Sequence, residues 1–183
     1  MRRWGIASSP MAIYALGDLV PQIDPTAYVH PDATVIGDVV IGPDSSIWPR
    51  AVLRGDYGRI TVGARTSIQD GSVIHSTLLN PTFIGDDCVI GHLVHIECCT
   101  VGNGALVGSG AIVLHRAVVE DEALVGAAAL VPNDMVVPSR AQALGVPAKL
   151  RLDAVDPEIM IRQGARQYVE NGARFRELLR RID

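Results

Sequence analysis

The sequence predicts an all-β solenoid, a parallel β-helix built of hexapeptide repeats with one C-terminal α-helix packed on its flank. Three observations predict it. Aliphatic residues recur every six positions from Val29 to Val131, small residues and glycines fill fixed places between them, and the period changes to a helical one only after Pro157. A sandwich would show turns every eight to twelve residues with period-two alternation, and a βαβ fold would need helical stretches between strands; neither precedes residue 150.

Residues 1–10 read as an extension, expected to be poorly ordered. The solenoid with its opening strand and exit connector is assigned to residues 11–150, and the helix to 151–183. Ile13 to Gln22 supplies a strand and turn that cap the first coil, which otherwise exposes apolar core and unpaired backbone. The beat then runs Val29, Val35, Ile41, Ile47, Leu53, with Ala33, Val39, Ser45 and Ala51 at the narrow positions of the triangular section. Gly37, Gly42, Pro31-Asp32 and Pro43-Asp44 are expected to make the corners.

RGDYGRI disturbs the beat after Leu53, as a loop or a site would, before it resumes at Val62, Ile68 and Ile74. Four extra residues, Leu78 to Pro81, lengthen the step to Ile84, Ile90 and Ile96. The beat then shifts by one residue to Val101 and continues to Val131, for roughly six to seven coils in all. Pro132, Pro138 and Pro147 end it. From Pro157 to Ile182, Ile161, Ala165, Tyr168, Gly172, Phe175, Leu179 and Ile182 form one apolar stripe, with Asp156 as N-cap.

A net charge of −4 at pH 7 and a pI near 5.7 offer no electrostatic footprint for nucleic acid or an anionic membrane. No apolar run reaches the length of a membrane span, and three cysteines, an odd number, read as reduced thiols, so a cytoplasmic protein is expected.

Chemistry concentrates between Gln69 and Gly102. His75 and Glu97 each directly follow a beat residue, Ile74 and Ile96, and lie twenty-two positions apart. One coil of eighteen residues plus the four inserted predicts that they stack on neighbouring coils, about 4.8 Å apart. One metal ion can be gripped by both. His92 falls at a different corner, from which it reaches the pair only on a neighbouring chain. His95 sits two residues from the required corner. His30 and His115 are expected at the surface or at corners, and Cys98 and Cys99 as packing thiols on different strand faces.

At RGD, QDGSVIH and IGHLVHIECCTVG the chain resembles the γ-class carbonic anhydrase-like family of left-handed β-helix proteins, over about residues 11 to 182. The resemblance implies a homotrimer with three metal sites between subunits and reversible hydration of CO₂, with bicarbonate or another small anion as ligand. It makes His75 the first metal ligand and His92 the one supplied across the interface, while the family's third histidine is replaced by Glu97. Arg54 and Asp56 match residues that order the trimer interface. Gln69 matches one that holds water or bicarbonate, Asp70 its neighbour, and Tyr168 lies on the helix near the pocket. Ser67 stands where asparagine is usual. Two histidines and a glutamate are an established zinc set, acceptable also to iron or cobalt. The anionic ligand predicts slower hydration. Two other readings remain beside this one: a CoA-dependent acyltransferase with His75 or His92 as general base, and a non-catalytic trimer that binds a small ligand or serves assembly. Without a metal, His75 and His92 would be interface histidines satisfied by hydrogen bonds.

Overall fold

The computed structural model describes residues 12–182, so the expectation for residues 1–10 lies outside the described residues. The chain forms a left-handed parallel β-solenoid of about seven turns followed by a single helix, as the six-residue beat requires. Most strands are only two or three residues long, and each pairs with its equivalents one coil below and above. One face stacks Tyr28–Val29, Ser46–Ile47, Ser67–Ile68, Val89–Ile90, Leu106–Val107, Leu124–Val125 and Gln142–Leu144. A second carries Val73–His75, His95–Glu97, Ile112–Val113 and Leu130–Val131, and a third carries Thr82–Ile84, Thr100–Val101, Val118–Val119 and Val136–Val137. Every beat residue from Val35 to Val131 is buried, and these side chains with the small residues between them fill the prism. Stacked strands of this length are too short to be stable alone; the continuous aliphatic column supplies the stabilisation.

The opening end is capped as expected, whereas the exit connector folds back on the last coil. Ala12–Tyr14 and Gln22–Ile23 pair with Thr34–Ile41 in the first coils, and Lys149–Arg151 folds back antiparallel on Gln142–Leu144. No described helix is long and apolar enough to cross a membrane.

Three sequence expectations change. RGDYGRI is not a loop: Val52–Val62 is one unbroken strand that turns a corner, pairing with Val73–His75 at its start and Thr82–Ile84 at its end. Gly55 and Gly58 permit this, since a Cβ would lie 2.5 Å from Asp38 O at the first and 2.2 Å from Thr77 O at the second. The corners also differ. Gly37 has φ +77°, but Gly42 is not in the left-handed region and is glycine because a Cβ would lie 2.7 Å from the backbone of Gly63. Asp44 is left-handed, in the expected Pro43-Asp44 corner, and most other corners turn likewise through a left-handed residue three places after the beat, including Arg50, Arg65, Asp87, Leu93, Arg116, Glu122 and Asp134. A side chain there costs about 1 kcal/mol or more, offset by a ladder contact: Arg65 N, for example, donates to Pro43 O at 2.8 Å.

The helix is shorter than its stripe. A π-helical turn at Glu158–Arg162 leads into the α-helix Gln163–Leu178, and Leu179 is extended, leaving Ile182 exposed. Asp156 does cap the start, its Oδ1 accepting from the amides of Glu158 and Ile159 at 3.1 and 3.3 Å. Ile161, Ala165 and Gly172 are buried as the stripe predicts, and the helix lies on the first face. An aromatic cluster fixes it there: Trp48 meets Phe175 at 5.0 Å and Tyr168 at 5.9 Å between ring centres. The indole N–H is satisfied by Ser46 and Ser67 hydroxyls at 2.9 and 3.0 Å. Ser67, unusual for the family resembled, therefore has a structural use.

Candidate metal centre

Strand pairing sets His75 opposite Glu97 on the coil above and opposite Arg54 on the coil below. The four inserted residues leave the ladder in register, which is the stacking expected. His75 Nδ1 lies 2.9 Å from Glu97 Oε1, and its Nε2 lies 3.1 Å from Asp56 Oδ1. The other Asp56 oxygen receives the Arg54 guanidinium. Arg54 and Asp56 thus pair within one chain and clamp the histidine.

A neutral imidazole carries one N–H, so with carboxylates on both nitrogens one lone pair would face an anion. A protonated ring resolves this, and so does a cation between Nδ1 and Oε1 with Nε2–H donating to Asp56. The second arrangement is the carboxylate–histidine–metal relay common at metal sites. The 2.9 Å separation is a few tenths short of the roughly 3.3 Å edge of a tetrahedral zinc site. Parted by that much, His75 and Glu97 would supply two ligands to a metal, and a third would have to come from elsewhere.

The hydrogen bond from His75, then that from His95, with the charges of His115 and His75 adding, holds the Glu97 carboxyl below its ordinary value against partial burial. Burial pushes Asp56 up, but the hydrogen bonds from Arg54 and His75 outweigh it and its carboxyl is also held low. Both are anionic at neutral pH.

The remaining expected residues form a separate group. His92 stacks over Asp70, with Nδ1 2.9 Å from Asp70 Oδ2, and is about half exposed. The backbone ladder places it there, since Leu93 N donates to Asp70 O. Gln69 is buried, and its amide lies close enough to Tyr168 to act on the phenol. Burial, then the Asp70 charge, raises the Tyr168 hydroxyl pKa. One chain therefore carries His75 with Glu97, Asp56 and Arg54 at one place on the prism, and His92 with Asp70 and Gln69, faced by Tyr168 of the helix, at another.

Sequence reasoning missed two groups around Glu97. His95 Nε2 lies 3.3 Å and His115 Nε2 3.6 Å from Glu97 Oε2. His95 was legible: residues two apart in a strand share a face, so being two places from Glu97 brings it in rather than keeps it out. His115 comes from the coil above and follows a beat residue by two, a place the beat alone did not aim at Glu97.

Residues 81–115 match the family described as bacterial transferase hexapeptide, six repeats. A solved Bacillus cereus protein proposed to be an acetyltransferase is 34% identical with a TM-score of 0.89, covering 94% of this chain and 100% of that one. A solved hexapeptide transferase family protein from Anaplasma phagocytophilum is 36% identical with a TM-score of 0.85, covering 92% and 98%. The carnitine operon protein CaiE of Escherichia coli O1:K1 is 45% identical over 97 residues, 53% of this chain and 50% of that protein. The chain spans about half the length of the curated relatives it matches. None of these descriptions is of a carbonic anhydrase, and three of them point to group transfer. On its full-length likeness to those solved structures, the chain belongs to the hexapeptide-repeat transferase family of left-handed β-helix proteins.

Proposed function

We propose that the chain assembles as a homotrimer in which His75 and Glu97 of one copy and His92 of a neighbouring copy hold a zinc ion, and that this corner hydrates CO₂ reversibly and slowly. The observation that carries the proposal is the His75–Glu97 contact at 2.9 Å, with the second ring nitrogen anchored on Asp56. Zinc held there would supply Lewis-acid activation of water near neutral pH. The chain's own residues do the rest. Asp56, braced by Arg54, fixes the ring orientation of His75; Asp70 does the same for His92. The buried Gln69 amide, with Tyr168, offers donors and an acceptor to orient CO₂ or bicarbonate. Glu97 adds a negative charge where the resembled family has a neutral imidazole, which slows turnover.

A second reading is favoured more directly by the relatives' descriptions: acyl transfer from a CoA thioester. The His92–Asp70 pair supports it, since a carboxylate on Nδ1 orients an imidazole so that Nε2 takes the proton of an attacking amine or hydroxyl. Stopped-flow CO₂ hydration and thiol release from acetyl-CoA, measured in parallel on zinc-loaded protein with a panel of amine and hydroxyl acceptors, separate the two. Hydration that disappears in His75→Ala supports the first. Thiol release that disappears in His92→Ala and persists in His75→Ala replaces it with the second, and activity in neither assay leaves the binding or assembly trimer.

A further inference from the structure

Glu97 uses only one carboxylate oxygen at the corner described above. From the surroundings of the other we infer a second zinc site, formed within one chain by Glu97, Cys98 and His115. Their ligand atoms all lie within 4.8 Å of one another, and Glu97 Oε2 is 3.6 Å from His115 Nε2. Tetrahedral zinc with bonds of about 2.0–2.3 Å has ligands roughly 3.3–3.7 Å apart, so that pair already has the required spacing.

The backbone explains how neighbours in sequence serve one ion. In a regular strand Cys98 would point away from Glu97, but it has φ +56° and turns the corner. Its thiol is kept out of the aliphatic column, in which Cys99 takes part, and lies 3.4 Å from the Thr77 hydroxyl. The beat shortens to five residues between Ile96 and Val101 at this same corner. Cys98 is buried, while Glu97 and His115 are partly exposed and leave the ion a way in from solvent. Sulfur, imidazole and carboxylate together suit zinc, a borderline-soft ion, better than magnesium or calcium. His95, 3.3 Å from the same oxygen, stands at the rim as a fourth donor.

This site shares Glu97 with the proposed corner but uses neither His75 nor His92 and needs no second copy. Cobalt(II) titration of the chelator-stripped full-length protein tests it, because a thiolate ligand produces a near-ultraviolet charge-transfer band that histidine and carboxylate do not. The band should reach the intensity of one thiolate-bound cobalt per chain by two added equivalents, vanish in Cys98→Ser and His115→Ala, and persist in His92→Ala. His115 is partly exposed, so its variant remains informative if Cys98→Ser folds poorly. No band in the native protein, a band that survives Cys98→Ser, or one lost in His92→Ala would overturn the assignment. Loss of CO₂ hydration with the band retained would count against the proposed function alone.

Discussion

Glu97 stands opposite His75 on the next coil, with Oε1 and Nδ1 2.9 Å apart, and among the described residues it alone reaches both that corner and the cluster behind it. Replacing Glu97 with Gln keeps the shape and removes the charge. Zinc affinity, measured by competition with a chromogenic chelator, should fall by roughly 10-fold or more. Glu97→His should raise CO₂ hydration above that of the native chain; an unchanged rate would show that this position does not limit turnover.

The column of beat residues sets stability. Ile74 is fully buried beneath His75, so Ile74→Ala should cost about 2–5 kcal/mol. Its neighbour Val73 is 38% exposed, and Val73→Thr should cost much less. Urea denaturation of both variants checks the contrast; equal losses would mean that the column is not the core.

Two left-handed glycines should behave differently. Gly37 has φ +77° and a Cβ there would lie 2.3 Å from Gly55 O, whereas Gly110 has φ +69° with nothing within 4 Å. Gly110→Ala should cost only the conformational strain, about 1–2 kcal/mol. Gly37→Ala must also move backbone and should lower the melting temperature further.

Burial pushes the Cys88 and Cys99 thiols up to about 12. At pH 8 roughly one part in ten thousand is thiolate, so iodoacetamide should leave both unlabelled in native protein and label them after unfolding, as read by peptide mass. A thiol in water ordinarily titrates near 9.0. Because the folded pKa is raised, these groups stabilise the fold fully below about 9, and that contribution is lost as pH rises towards about 12.

Arg54 braces Asp56, which holds His75. Arg54→Ala should therefore loosen the proposed trimer as well as the histidine. Light scattering should show dissociation at higher protein concentration than for the native chain, and an intact trimer of normal stability would contradict an interface role.

The sequence made some of this legible for a physical reason. A beat residue must point inwards, so Ile74 and Ile96 fix the outward course of His75 and Glu97, and a four-residue insertion that leaves the ladder intact preserves their alignment. The same logic placed His92 at another corner. What was not legible depended on backbone geometry. Nothing in the residue type of Leu93 or Arg116 announces a left-handed corner. The run RGDYGRI looks like an interruption because Gly55 and Gly58 are there to let coils approach, not to end a strand. Leu179 fits the helical stripe, yet the chain leaves the helix at that residue. Cys98 reads as packing until its φ turns the thiol towards Glu97 and His115.

The most direct measurement is an anomalous difference map at the zinc edge from crystals of the zinc-loaded protein. A peak bound by His75 Nδ1 and Glu97 Oε1 of one copy and by His92 of an adjoining copy is the predicted result. A trimer with no zinc at that corner, or a packing that leaves every His92 distant from it, would contradict the account.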